Sequence, residues 1–206
     1  MDRKTKKELE DFKKFKKGFE FKQKEIIQEG ENLFCEGELL QKGEEKPIGE
    51  TEKWINVGYK LKGPFSKVLS NLFPYEFVFQ GKRLSSIETF FQGIKIKDKN
   101  TQKYVFKYSG LDSNNIKVAS DFEWKESSIV YWQGKEIKRE SDAYYDLVDE
   151  LYISAIQNPL YRNVLKNVNK PIIHSIGEVD KKKTVFTRYE FEFMLNCLVE
   201  FLKLER

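Results

Sequence analysis

Apolar positions recur at alternating three- and four-residue steps in several stretches of the chain. The clearest run is Tyr144, Leu147, Val148, Leu151, Tyr152, Ala155 and Ile156, placed behind Ser141, a good helix cap. It predicts a helix across the centre of the fold. Asn158-Pro159 then reads as a cap followed by proline at the first helical position, opening a helix with Leu160, Val164, Leu165 and Val168. A last helix is predicted from about Thr187 to Leu204, burying Phe191, Met194, Leu195, Leu198, Phe201 and Leu202, with Cys197 as a small buried hydrophobe. Near the start, Leu9, Phe12, Phe15, Phe19 and Ile26 fall at helical spacing among lysines and glutamates, and predict an amphipathic arm ending near Gly30.

Two short apolar runs carry glycine turns instead. Phe77-Val78-Phe79 before Gln80-Gly81 and Lys82-Arg83-Leu84, and Ile129 to Trp132 before Gln133-Gly134, both read as hairpins. Alternation from Ile55 to Leu61 predicts a strand. Leu69 to Pro74 reads as an extended lead-in, and Asp98 to Gly110 as a further helix stopped by Gly110 and the Asp112 to Asn115 cluster. Glycine, glutamate and lysine dominate from Glu31 to Glu52, which places a linker there, between an arm over 1–52 and a domain over 53–206. The predicted class is α+β, mainly helical, with short antiparallel strands or hairpins.

Between the first hairpin and the 98–110 segment lies Ser85-Ser86-Ile87-Glu88-Thr89-Phe90-Phe91-Gln92-Gly93-Ile94-Lys95. Ser85 with Glu88 fits a capping box, in which the glutamate returns to the backbone N–H of its cap. Glu88, Gln92 and Lys95 also fall on one stripe of the helix, so a carboxylate, an amide and an ammonium share a face. A solvated helix face and a functional stripe are both compatible with that pattern.

Composition narrows the classes. The chain has 206 residues, with 37 Lys and Arg against 33 Asp and Glu, so its charge is dense but nearly balanced at +4. No run reaches the roughly 20 apolar residues of a membrane span. Cys35 and Cys197 lie far apart and the N-terminus is charged, which fits a reduced, cytoplasmic setting. The single histidine, His174, sits among apolar residues and reads as a hydrogen-bonded core group. With no His and Cys cluster, no metal site is predicted. The Lys-rich arm could contact nucleic acid, although interleaved acids dilute it.

The segment Leu69-Ser70-Asn71, Pro74, Gly81-Lys82-Arg83 and Ser86-Ile87-Glu88-Thr89-Phe90-Phe91-Gln92-Gly93-Ile94-Lys95 resembles the signature of the NADAR (YbiA-like) family. Gln157-Asn158-Pro159 resembles a later family segment. The resemblance implies a YbiA-like helical domain and hydrolysis of an N-glycosidic bond to ribose, in ADP-ribosylated guanine or a ribosylamino-pyrimidine phosphate, without a cofactor. It makes Glu88 the catalytic carboxylate, able to stabilise the ribosyl cation and take a proton from water. Asp180 matches a second family acid. Lys82, Arg83 and Lys95 become phosphate ligands, Ser70, Asn71 and Gln92 ligands of ribose or base, and Phe91 and Trp132 stacking surfaces. Lys181 to Thr187 replaces the family's Trp- and Gly-rich loop, so a module that binds ADP-ribose or a related nucleotide without cleaving it, as a sensor or interaction protein, is the alternative.

Overall fold

A computed structural model describes residues 1–36, 49–108 and 123–205. The linker residues from Gly37 to Ile48 and the stop predicted at Gly110 to Asn115 lie outside them. The fold is mainly helical α+β, with eight helices and six short strands among the described residues. The helices are α1 (Arg3–Glu36), α2 (Pro64–Val68), α3 (Ile87–Gly93), α4 (Lys99–Val105), α5 (Glu123–Ser127), α6 (Asp142–Ala155), α7 (Pro159–Lys166) and α8 (Arg188–Lys203).

The centre is α6. Its stripe of Tyr144, Leu147, Val148, Leu151, Tyr152 and Ala155 is buried, and so are Asp149, Ile153 and Ser154, so the helix is enclosed on nearly every side. A helix apolar on this many positions belongs in a core, and α1, α3 and β2 all pack against it. Ser141 caps it by accepting from Tyr144 N–H. Asn158 caps α7 through Leu160 and Tyr161 N–H, with Pro159 at the first position.

Helix α1 continues past Gly30 to Glu36. Phe12 is fully buried and meets Phe201 of α8 edge to face at 5.4 Å. Burial of one such ring contributes about 1.5–3 kcal/mol. The polar side of the same turns is engaged as well, because Lys16 pairs with the buried Asp149 at 2.6 Å and Lys13 pairs with Asp146. Lys4, Lys6, Lys7, Lys14 and Lys17 stay exposed.

Among the described residues there are also three two-stranded sheets. In the hairpins β2 (Phe77–Phe79) with β3 (Lys82–Leu84), and β4 (Ile129–Trp132) with β5 (Lys135–Lys138), both turn residues have positive φ. Gln80-Gly81 and Gln133-Gly134 therefore form the left-handed pairs that match strand twist, and glycine takes the second position without strain. The third sheet pairs β1 (Ile55–Asn56) with β6 (Ile172–Ile173) in parallel. Asn196 of α8 closes its outer edge, accepting from Ile172 N–H at 2.9 Å and donating to Ile172 O at 2.8 Å.

Three further expectations change, the first being the strand predicted from Ile55 to Leu61, which ends at Asn56 before a turn in which Leu61 N–H donates to Gly58 O at 2.9 Å. Leu69 to Phe73 is not extended: it forms turns after α2, with Phe73 N–H donating to Ser70 O at 2.9 Å. The helix predicted from Asp98 is short, because Asp98 caps it through Thr101 N–H and it ends at Val105.

Candidate functional site

Helix α3 begins one residue later than a capping box at Ser85 requires. Ser86 is the cap, its hydroxyl accepting from Thr89 N–H, so Glu88 lies at the second helical position and does not cap the helix. Its backbone N–H instead donates to Asn71 O at 2.8 Å. Asn71 Oδ1 accepts from the buried Tyr152 hydroxyl at 2.9 Å, tying the start of α3 to the central helix. No acceptor among the described residues takes Asn71 Nδ2.

The Glu88 side chain runs along the helix. Gln92 donates Nε2–H to Glu88 Oε1 at 2.5 Å, and Lys95 donates Nζ–H to Gln92 Oε1 at 3.1 Å. Glu88 Oε2 has no hydrogen-bond partner among the described residues. Glu88 keeps intermediate exposure, yet crowding by protein pushes its carboxyl up from the ordinary range, with Lys95 and the Gln92 amide opposing that shift. A group both crowded and accessible is recessed. Desolvation pushes Lys95 down, opposed by Glu88 and reinforced by Lys125. Lys95 lies 5.7 Å from the centre of the Trp124 ring, and Lys125 lies 5.8 Å from the same ring.

The other predicted residues divide. Ser70 is buried beside Asn71, its hydroxyl accepting from Leu72 N–H at 3.3 Å. Phe91 is only 3% exposed, and Phe186 stacks on it at 4.7 Å, so Phe186 is the partly exposed member of that pair. Trp132 is a core residue: it is 4% exposed, packs on Phe79, Phe90 and Phe106, and donates its indole N–H to Gln80 at 2.8 Å. It has almost no surface to offer a ligand. Arg83 is exposed and faces Glu76 at 3.4 Å, and Lys82 stands opposite Phe79 on the hairpin. Neither forms a hydrogen bond or ion pair with Glu88, Gln92 or Lys95.

Asp180 is not joined to Glu88. Its Oδ1 accepts from Lys182 N–H within its own turn, and its Oδ2 faces Lys183 at 3.8 Å. That turn is held from below by the buried Arg139, which donates to Val185 O, Lys181 O and Glu190, and by the Tyr144 hydroxyl on Val185 O. Glu190, Glu192 and Asn196 all have structural partners: Glu190 closes the capping box of α8, Glu192 accepts from His174 N–H and Arg188, and Asn196 closes β6. His174 bonds Val57 O at 2.6 Å through Nδ1, and burial pushes it down.

Tyr152, Trp124 and Phe186 are absent from the sequence-based site. Tyr152 is one of seven apolar positions in its helix, and nothing in its spacing marks its hydroxyl as the anchor of Asn71. Among the described residues no group of three or more His, Cys, Asp or Glu could hold a metal ion, and no helix is long and apolar enough to cross a membrane. A cavity of about 560 Å³ lies between α1 and α8, lined by Phe15, Phe19, Pro171 and Val199, and contains none of the Glu88 stripe.

Residues 64–200, from the first residue of α2 into α8, match the family described as bacteriophage protein GP30.3. Helix α1 and strand β1 precede the matched range. The chain is also similar to a protein of enterobacteria phage T4, named as an uncharacterized 17.1 kDa protein in the Gp30-rIII intergenic region, with 32% identity over 136 residues. That alignment covers 65% of this chain and 89% of the T4 protein. No solved structure matches. By the extent of the first match and the coverage of the second, the chain belongs to the GP30.3 family of bacteriophage proteins.

Proposed function

We propose that this protein is a cytoplasmic N-glycosidase of the NADAR type, hydrolysing an N-ribosyl bond in ADP-ribosylated guanine or a ribosylamino-pyrimidine phosphate. The observation that carries the reading is the state of Glu88. A glutamate at the second position of a helix, freed from capping, recessed, and held by one oxygen, has the other oxygen available for a reacting molecule. As the bond from C1′ to the base nitrogen breaks, positive charge develops on C1′ and its ring oxygen, and a carboxylate beside it stabilises that charge. Water then adds to C1′ and gives a proton to Glu88 Oε2, the departing nitrogen takes a proton from solvent, and Glu88 returns its own to solvent, so that the bond from C1′ to nitrogen is replaced by one to oxygen with no net proton consumed. A carboxyl pushed up from the ordinary range is a better base for this step, because its acidity approaches that of the working solution.

Asn71 Nδ2 is a donor suited to ribose hydroxyls, and Phe186 a partly exposed ring suited to the base. For a substrate carried on nucleic acid, the exposed lysines of α1 would contact its phosphates, with binding that weakens steeply in salt.

One observation favours the second reading, a nucleotide-binding module without turnover. Asp180 is engaged by its own turn, so among the described residues no second carboxylate is paired with Glu88. Incubation of the chain and its Glu88→Gln variant with both substrates separates the readings. Base release by the native chain that is lost in the variant supports hydrolysis; release unchanged in the variant overturns the role of Glu88. Tight ADP-ribose binding with no release favours the module.

A further inference from the structure

Gln92 and Lys95 read from the sequence as substrate ligands, and the geometry links both to Glu88, Gln92 directly and Lys95 through it. Three side chains stand in series: the Lys95 ammonium on Gln92 Oε1 at 3.1 Å, and the Gln92 Nε2–H on Glu88 Oε1 at 2.5 Å. An amide has one accepting end and one donating end, so a cation on its oxygen turns its NH2 toward the carboxylate. Without that cation, the amide could present its oxygen to Glu88 and repel it. Lys95 is itself steadied over the Trp124 ring at 5.7 Å.

We propose that Lys95 is a positioning residue that acts through the Gln92 amide: it fixes the amide's orientation, and so decides which oxygen of Glu88 is held and which is left for water. The consequence for turnover rests on the catalytic reading of Glu88, whereas the hydrogen-bonded chain can be tested without any turnover. Among the described residues the charged and titratable groups around it are few. Lys95 follows α3 on the same stripe, Lys125 on α5 acts on Lys95, and Tyr152 on α6 feels the Glu88 charge. A neutral amide between carboxylate and ammonium keeps the two charges from pairing directly, which would neutralise the carboxylate as a base.

The test is an NMR titration of the full-length chain labelled with 13C at its glutamate carboxyls, the Glu88 signal being the one absent from Glu88→Gln. It compares the native chain, Lys95→Met, Gln92→Leu and the double variant. Removing Lys95 from the native chain takes away both an opposite charge and the orientation of the amide, so the Glu88 midpoint moves up. In the Gln92→Leu background the same removal is expected to move it by less than about half as much, because the amide no longer transmits it. Equal displacements in the two backgrounds mean that Lys95 acts through space, and overturn the proposal. Lys95→Gln keeps a donor without the charge and is expected to restore part of the native midpoint; no restoration counts against the amide's part. Where there is turnover, a positioning role lowers kcat and shifts its pH profile with KM held, and a raised KM with an unmoved profile makes Lys95 a substrate ligand instead. If no substrate turns over, the titration still decides the chain, and the failure falls on the catalytic reading of Glu88 alone.

Discussion

Helices α3 and α8 each carry glutamates near their first turns, and they treat them differently. Glu190 takes three donors on one oxygen, from Arg139, Thr187 N–H and the Thr187 hydroxyl, and Glu192 takes two, from Arg188 and His174 N–H. In both a guanidinium bonds the carboxylate directly. Among the described residues Glu88 has one donor, a neutral amide, and the Lys95 ammonium stands one group further away. The acids of α8 join a loop, a strand end and a helix start. The acid of α3 is bonded by Gln92 of its own helix, and the fold accepts a carboxyl that burial pushes up. A carboxyl that neither caps its helix nor takes a direct ion pair from a described residue is what the role proposed for Glu88 requires.

The comparison breaks or sharpens by substitution. The largest expected effect is on the α8 side: Arg139→Ala leaves Glu190 without its cation and frees the loop carrying Phe186, and should cost about 3–5 kcal/mol in urea unfolding. A loss below 1 kcal/mol would make the two regions alike. Glu88→Gln should do the reverse, reducing base release by about 10²-fold or more while the unfolding midpoint holds or rises at neutral pH.

The pH dependence has a definite sign. Glu88 titrates higher in the folded chain than in the unfolded one, so between those two midpoints the native state binds the extra proton and stability falls as pH rises. Asp149 is pushed up too and shares that window, so the quantity to measure is the stability of Glu88→Gln minus that of the native chain. It should grow with pH from the ordinary carboxylate range upward and then level off. A difference that shrinks would mean that Glu88 is held as a stabilising charge.

Smaller effects test the frame around the site. Ser86→Ala removes the true cap of α3 and should cost about 1 kcal/mol in thermal unfolding, whereas Ser85→Ala, at the position the capping box required, should leave the Glu88 titration in place. Arg83→Ala breaks only an exposed pair with Glu76 and should change stability by less than about 0.5 kcal/mol, with base release unchanged.

Much of this architecture was legible because its signals are local. Gly81 and Gly134 mark the two hairpins, and Ser141, Asn158-Pro159 and Thr187 mark helix starts, each through chemistry within four residues. Adjacent serines defeated the same logic at α3: either could cap, and a one-residue difference decides whether Glu88 returns to the backbone or turns outward. The β1–β6 pairing joins Ile55 to Ile172, a separation no periodicity reports. The burial of Trp132 and the role of Arg139 likewise depend on partners supplied by distant segments. The bonds that run from Asn71 through Glu88 and Gln92 to Lys95 join stretches that the sequence singles out, but their order is not legible there, since an amide between two charges has the same sequence whether it serves a ligand or a neighbour.

Asn196 has a consequence beyond the fold's interior. Ile172 and Ile173 are β-branched, adjacent and paired on one side only, which is how a strand recruits another molecule. By offering an acceptor and a donor to Ile172 from a helix, the asparagine occupies the contacts that a foreign strand would use. The smallest sheet among the described residues is thereby sealed against growth, and a chain with Asn196→Leu should keep its helices yet associate with itself as concentration rises.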